Sequence, residues 1–176
     1  YVHRNKKSVI TQRELRHDAP SFAAALRACI HQDPDVILVG EMRDLETISL
    51  AVSLGEMGFL VFATLHTNHA AKTIDRIIDV FPHEQQPQIR TMLSFSLKGV
   101  LSQLLLPRRD GKGVVPVCEI LFATSGLPNI IREGRVDKIS SLMEGSRGIG
   151  MQKLDDSIME AFRKGLISAG EADLRA

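Results

Sequence analysis

Residues 36–44 read VILVGEMRD, and this stretch decides the predicted fold. Its first four residues are aliphatic, which is typical of a strand that is covered on both faces of a parallel sheet. A second apolar run, FLVFAT, occupies residues 59–64, and residues 45–57 between the two runs have the periodicity of a helix. A strand, a helix and a second strand in this order predict a βαβ unit with parallel strands. The sequence therefore predicts an α/β fold built on a parallel sheet.

Side chains that can do chemistry follow both predicted strands. Glu41 comes directly after Gly40 at the end of the first strand, and His66 follows the second strand. The carboxyl ends of neighbouring parallel strands meet at one edge of a sheet, and ligands of open α/β sheets bind outside that edge. We therefore expect Glu41 and His66 to lie at a shared rim, roughly 5–10 Å apart.

The pair of Glu41 and His66 fits the hydrolysis of a nucleoside triphosphate. A carboxylate on a rigid strand can hold Mg²⁺, directly or through a water, or orient the attacking water, as a Walker B acid does. Gly40 would let a phosphate approach the backbone, and His66 could donate a hydrogen bond to a terminal phosphate. On the pattern alone, Glu41 is equally well interpreted as an ordinary loop carboxylate, and His66 as a cap for the following helix.

The residues after His66 predict further helices and one more strand. Residues 70–80 and 87–106 have helical periodicity, and residues 114–122 are typical of a strand at a sheet edge, because they include a proline. The remaining stretches are short, amphipathic and separated by glycines. We predict a parallel-sheet core over residues 1–123, followed by a small helical subdomain over residues 124–176.

The composition argues against several classes of protein. Lys and Arg number 22 and Asp and Glu 21, so the net charge is +1, whereas a polyanion binder normally shows a basic excess. A single Tyr offers little aromatic surface for stacking bases, so we expect no nucleic-acid partner.

Cys29 and Cys118 are too far apart for a CxxC zinc site, and His66 and His69 lack an evident third metal ligand. No apolar run approaches the roughly 20 residues that span a bilayer, and a reducing cytoplasm is the simplest compartment.

Four blocks of the sequence resemble the secretion ATPase superfamily. Residues 33–44 (DPDVILVGEMRD) are similar to its Walker B region, and residues 64–68 (TLHTN) are similar to its His box. Residues 25–27 (ALR) upstream and 75–82 (DRIIDVFP) downstream also resemble the family. The blocks stand in the family's order and cover most of the chain.

The subgroup that the chain resembles is that of the type IV pilus retraction ATPases. Type II secretion ATPases and pilus-extension ATPases usually carry a four-cysteine zinc insertion, and this chain has no cysteines for one. Residues 129–133 (NIIRE) resemble the end of the retraction motif AIRNLIRE, although GLP at residues 126–128 replaces its Ala, Ile and Arg. Residues 150–155 (GMQKLD) and 164–168 (KGLIS) are also similar to this subgroup.

The resemblance implies a homohexameric, RecA-like motor that hydrolyses ATP with Mg²⁺ and pulls pilin subunits back into the inner membrane. Its partners would be the inner-membrane platform protein and the pilin machinery, and only these partners would hold it at the cytoplasmic face of the inner membrane. Glu41 would be catalytic and would hold Mg²⁺ through a water. His66 would sense the γ-phosphate during catalysis, and Gly40 and Arg13 would complete the nucleotide site.

Charged residues near the predicted site have structural interpretations as well. In ring ATPases an Arg often reaches the neighbouring subunit's nucleotide. Arg13 fits that role and a salt bridge equally well, whereas Arg27 and Arg43 are expected to form ion pairs. Asp18 and Asp44 each precede a predicted helix and are expected to cap it.

We expect the chain to be part of a longer protein. It begins without an initiator Met, residues 1–3 (YVH) resemble the end of the family's Asp box, and the P-loop pattern GxxxxGK[ST] is absent from these residues. The 176 residues alone are therefore expected not to hydrolyse ATP, whereas the longer parent would. Two alternatives stay open: another superfamily ATPase that acts in pilus assembly or in type II or IV secretion, and a non-hydrolysing ring subunit of the same fold.

Overall fold

The computed structural model describes residues 2–173, so Tyr1 of the Asp-box-like segment lies outside the described residues. The chain divides into two compact units, one ending at Thr64 and the other beginning at Leu65. The helices are α1 (Phe22–Cys29), α2 (Leu45–Glu56), α3 (Ala70–Asp79), α4 (Gln86–Ser96), α5 (Leu127–Arg132), α6 (Ile139–Gly145), α7 (Leu154–Arg163) and α8 (Ala169–Asp173). The strands are β1 (Val36–Val39), β2 (Leu60–Ala63), β3 (Gly99–Pro107) and β4 (Val114–Phe122).

The first unit contains the predicted βαβ arrangement. β1 and β2 pair in parallel, from Val36 opposite Leu60 to Val39 opposite Ala63, and α2 connects them. The prediction of an α/β fold with a parallel sheet is confirmed. The expectation that β1 is covered on both faces is wrong for this chain, because burial alternates along the strand and Leu38 is 76% exposed. The apolar run thus supplies one buried face and one exposed apolar face.

The helices of the first unit begin at side-chain caps. Asp44 accepts a hydrogen bond from the backbone N–H of Thr47 at 2.9 Å and caps α2, as predicted. The predicted cap at Asp18 is wrong, because Ser21 occupies that position and accepts from the N–H of Ala24. Asp18 instead closes a turn, in which its carboxylate accepts from the N–H of Glu14 at 2.8 Å.

The prediction of one long helix over residues 87–106 is wrong. α4 ends at Ser96, Leu97 takes an extended conformation, and β3 begins at Gly99. β3 and β4 pair antiparallel over nine residues each, from Gly99 opposite Phe122 to Pro107 opposite Val114. Burial in β3 follows the period of a strand, with Ser102 and Leu106 inward. Pairing with the next strand of a hairpin has overridden an apolar pattern that fits a helix equally well.

The predicted strand over residues 114–122 is confirmed, and helices follow it as expected. β4 packs against α7, and one hydrophobic core joins Leu106 and Val117 of the hairpin to Ile158 of α7 and Ile167. The second unit extends across residue 123, and the domain boundary predicted at that residue stays a prediction. None of the helices among residues 2–173 is long and apolar enough to cross a membrane.

Candidate functional site

The carboxyl end of β1 is fixed by hydrogen bonds to the chain that leaves β2. The backbone N–H of Met42 donates to the carbonyl of Thr64 at 3.1 Å, which extends the parallel pairing beyond the strands. The hydroxyl of Thr64 donates to the carbonyl of Gly40. Gly40 and Glu41 therefore lie in a short, well-anchored loop at the carboxyl edge of the parallel sheet, as predicted for a Walker B segment.

Glu41 is the least exposed charged side chain of residues 40–44. Its side chain is only 21% exposed, and its Oε1 accepts an ion-pair hydrogen bond from Nε of Arg43 at 2.6 Å. This hydrogen bond, together with the charge of the carboxylate, raises the pKa of Arg43 above its usual value. Arg27 likewise pairs with Glu46. The expected ion pairs of Arg27 and Arg43 are both confirmed.

His66 lies in the second unit, in the loop that leads into α3. It lines an open cleft of about 500 Å³ together with Thr67, Lys72, Asp75, Arg76, Asp79 and Val80. The hydroxyls of Thr67 and Thr73 are hydrogen-bonded at 2.7 Å, and the Thr73 hydroxyl donates to the carbonyl of His69. These bonds hold the His66 loop on the first turn of α3. Glu41 belongs to the other unit, and a shared rim for Glu41 and His66 stays a prediction.

The cleft beside His66 carries both signs of charge. Lys72 and Arg76 supply cations, and Asp75 and Asp79 supply carboxylates. Burial raises the pKa of Asp75, the nearby Asp79 carboxylate raises it further, and Arg90 lowers it. A phosphate that enters this cleft would be attracted by Lys72 and Arg76 and repelled by the carboxylates of Asp75 and Asp79.

Arg13 is exposed in a segment without regular secondary structure. It lies near the Asp18 turn, where the hydrogen bond from the Glu14 N–H is the main cause that lowers the pKa of Asp18, with smaller contributions from His17 and Arg13. The role of Arg13 toward a nucleotide stays a prediction.

Glu119 is a buried carboxylate of β4, 8% exposed, that no motif in the sequence pointed to. Its Oε1 accepts from the backbone N–H of Ala70 at 2.6 Å, and its Oε2 accepts from that of Leu154 at 3.3 Å. Oε2 also lies 3.4 Å from Nδ1 of His69. The signal available in the sequence was a lone charged residue in the apolar run VCEIL, residues 117–121.

His66 and His69 are close enough in sequence to suggest a metal site, for which a third ligand would be needed. Among residues 2–173, no three His, Cys, Asp or Glu side chains come together in a way that could hold a metal ion. His69, the second histidine of the segment, faces Glu119.

The segment that resembles the retraction motif forms α5, and the proline of residues 126–128 stands in its first turn, as expected. The guanidinium of Arg132 lies 5.5 Å from the ring centroid of Phe95, which is exposed on α4, and donates to the side-chain oxygen of Asn129. This cation–π contact and hydrogen bond fix the direction of Arg132 on the surface of the second unit.

Comparison with known proteins places the chain in a family. Residues 6–152 match the family model described as type II/IV secretion system protein. All 176 residues align with a twitching motility protein of Neisseria gonorrhoeae at 51% identity, covering 47% of that protein. They align with the type IV pilus retraction ATPase PilT of Pseudomonas aeruginosa at 48% identity, covering 51% of it.

A solved structure gives the same result. The whole chain superposes on a crystal structure of the pilus retraction motor PilT with bound ADP, with a TM-score of 0.91 and 45% identity, over 49% of that chain. The chain thus spans about half the length of the relatives that it matches. The resemblance to the type IV pilus retraction ATPases is confirmed, and the chain belongs to the type II/IV secretion system protein family.

Proposed function

We propose that this chain carries the Walker B and His-box half of an ATP-hydrolysing motor that retracts type IV pili. The observation that carries the proposal is Glu41, a largely buried carboxylate at the carboxyl end of a parallel strand. It is supported by the 48% identity to a type IV pilus retraction ATPase over the full chain. The proposal includes the homohexamer that the family resemblance implies, in which Arg13 would act on the nucleotide of a neighbouring subunit.

ATP and Mg²⁺ would be the cofactors of this motor. A single carboxylate fits Mg²⁺, which takes hard oxygen ligands, keeps several waters and binds phosphate oxygens for the rest of its shell. Glu41 would hold the ion through a water, and Gly40 leaves the approach to the backbone open for a phosphate. When bound, the ion would neutralise charge on the β- and γ-phosphates.

The protein's own groups would provide orientation and charge. Glu41 would orient the attacking water by accepting its hydrogen bond, and the loop bonds around Gly40 and Thr64 would keep the carboxylate in place. His66 would donate a hydrogen bond to a γ-phosphate oxygen, and Lys72 and Arg76 would add positive charge near it. Arg13 would stabilise developing charge across the subunit boundary.

The partners follow from the same proposal. The motor would act in the cytoplasm on the pilin machinery and an inner-membrane platform protein, and these partners would supply its only attachment to the membrane. Arg132, held by Phe95 and Asn129 on the surface of α5, belongs to the motif that would serve retraction rather than hydrolysis.

The test is Glu41→Gln in the full-length protein. The substitution keeps the size of the side chain and removes its charge, so phosphate release should fall by roughly 10²-fold or more while nucleotide binding persists. Malachite-green phosphate release and binding of a fluorescent ATP analogue measure the two quantities.

Glu46→Gln is the matched control for Glu41→Gln. It neutralises a nearby carboxylate that pairs with the exposed Arg27, so turnover should stay within about twofold of wild type. Wild-type turnover in Glu41→Gln would remove Glu41 from the mechanism and overturn the proposal.

A further inference from the structure

Glu119 occupies an unusual place, because one buried carboxylate satisfies the first turns of two helices. The N–H of Ala70 opens α3 and the N–H of Leu154 opens α7, and each donates to a different oxygen of Glu119. Neither helix has a side-chain cap at its own N-cap residue, His69 or Lys153. Glu119 therefore supplies from β4 the acceptor that both sequences lack.

The carboxylate sits within a wider junction between β4 and the start of α7. The backbones of Ile120 and Gln152 exchange two hydrogen bonds, at 2.8 and 3.0 Å. The N–H of Cys118 donates to the hydroxyl of Ser157, and the side-chain amide of Gln152 donates to the carbonyl of Cys118. The oxygen that accepts from Leu154 is thus held on a rigid strand, and α7 cannot shift without straining these bonds.

The other oxygen of Glu119 reaches the loop that carries His66. Ala70 stands four residues after His66, and the hydroxyls of Thr67 and Thr73 fasten the intervening loop to the first turn of α3. A shift at Ala70 is therefore transmitted to His66 through a short, hydrogen-bonded segment. Ala70, which is bonded to Glu119, therefore stands only four positions in sequence from His66, which lines the cleft.

We propose that Glu119 is a positioning residue for His66, fixing the start of α3 to the start of α7 so that the imidazole is held in place for the terminal phosphate. This inference rests on the proposed function. It also gives the helices after β4 a mechanical link to the nucleotide site, through the two oxygens of one carboxylate.

The chemistry requires a carboxylate at this position. An ionised carboxylate only accepts hydrogen bonds and has two oxygens, whereas the amide of Gln has one oxygen and an NH₂ group that would face a backbone N–H. Glu119→Gln can therefore satisfy one helix start and must leave the other unpaired. For this reason the isosteric substitution is a sharper test than a truncation.

The first experiment is steady-state ATP hydrolysis by the full-length protein. Glu119→Gln should lower kcat by roughly tenfold or more, with KM for ATP within about twofold, because a misplaced imidazole affects the reacting phosphate more than binding. Ile158→Val is the control for stability alone, since it trims a fully buried core side chain of α7 that cannot form a hydrogen bond. It should lower the melting temperature and leave kcat unchanged.

A double variant isolates the route of the effect. In a His66→Ala background, Glu119→Gln should cause no further loss of kcat, because the group that it positions is absent. The inference would be overturned if Glu119→Gln lowered kcat by the same factor in the His66→Ala background as in the wild type. It would also be overturned if Glu119→Gln alone left kcat unchanged. An equal kcat loss in Ile158→Val would overturn it as well.

Hydrogen exchange on the wild-type protein keeps the inference testable if the variants do not fold. Binding of ADP should slow amide exchange at the start of α3 and also at the start of α7, because both are tied to Glu119. Protection confined to α3 would overturn the link. Failure of the proposed function has a different signature: no ATP turnover by the wild type, or full turnover in both Glu41→Gln and His66→Ala.

Discussion

At the scale of single residues, the protein uses carboxylates in three different environments. Glu41 is mostly buried at a strand end and paired with Arg43, and Glu119 is buried against two helix starts. Asp44 is exposed and caps α2, while also accepting from the hydroxyl of Thr47 at 2.8 Å. The same chemical group thus serves a candidate reaction, a helix junction and a helix cap, and its neighbours decide which.

Asp44→Ala should destabilise the protein by about 1–2 kcal/mol at pH 7. The substitution removes the cap of α2 and leaves the buried hydroxyl of Thr47 without this acceptor. Urea denaturation followed by circular dichroism measures the loss. Asp44→Asn keeps a capping oxygen and should recover part of it; equal losses in both variants would contradict the capping role.

The contribution of Asp44 should depend on pH in a defined direction. Hydrogen bonds from the backbone N–H and then the hydroxyl of Thr47 lower the pKa of Asp44 in the folded protein. A lowered folded-state pKa stabilises the protein above the unfolded-state pKa, and this stabilisation is lost as the pH falls through the folded-state value. The stability difference between wild type and Asp44→Ala should therefore shrink in acid, and a constant difference from pH 7 to about pH 3 would contradict this assignment.

At the scale of elements, β3 is where the tertiary structure departs from the sequence pattern. Residues 97–106 present apolar side chains that satisfy a helical period, yet Gly99–Pro107 pair with β4 along the whole length of the strand. Gly99 is the first residue of β3 and lies within the predicted helix, so a substitution there distinguishes a strand from a helix. A Cβ at this position would lie 2.9 Å from the carbonyl oxygen of Leu121, closer than such atoms approach in proteins.

Gly99→Ala should therefore destabilise the protein, by about 1–2 kcal/mol, because the β4 backbone must move to admit a methyl group. In a helix the same substitution would stabilise by roughly 0.5–1 kcal/mol. Gly145→Ala is the matched control, since a Cβ there meets nothing within 4 Å. Thermal unfolding of the two variants decides the sign, and a stabilising Gly99→Ala would contradict the strand.

At the scale of the whole molecule, the chain forms two compact units. Glu41 belongs to the first unit, and His66 with its cleft of mixed charge belongs to the second. The chain spans about half the length of the relatives that it matches, and the P-loop pattern is absent from its 176 residues.

The 176 residues by themselves should not release phosphate from ATP. They contain no P-loop lysine to hold the β- and γ-phosphates, so the carboxylate and the imidazole lack a positioned substrate. Phosphate release by this chain, measured beside the full-length protein, tests the expectation. Turnover by the short chain that Glu41→Gln abolishes would contradict it, since that control separates intrinsic activity from a contaminating ATPase.

The sequence by itself determined the features that arise from local pattern. Apolar runs with a helix between them gave the parallel pair β1 and β2, the position of Asp44 gave the cap of α2, and the order of motifs gave the family. These features follow from the period of burial, from short-range hydrogen bonds and from residue identity. The cap is encoded within a few residues, the parallel pair within residues 36–63, and the family in the identity and order of short motifs.

Only the tertiary structure decided β3 and the role of Glu119. The residues of β3 fit two periods, and the choice depends on a partner strand that begins seven residues beyond its end. Glu119 acts through Ala70 and Leu154, which are 49 and 35 residues away along the chain. A local pattern carries no information about such distant partners, because hydrogen bonds and packing across a fold depend on where the whole chain comes together.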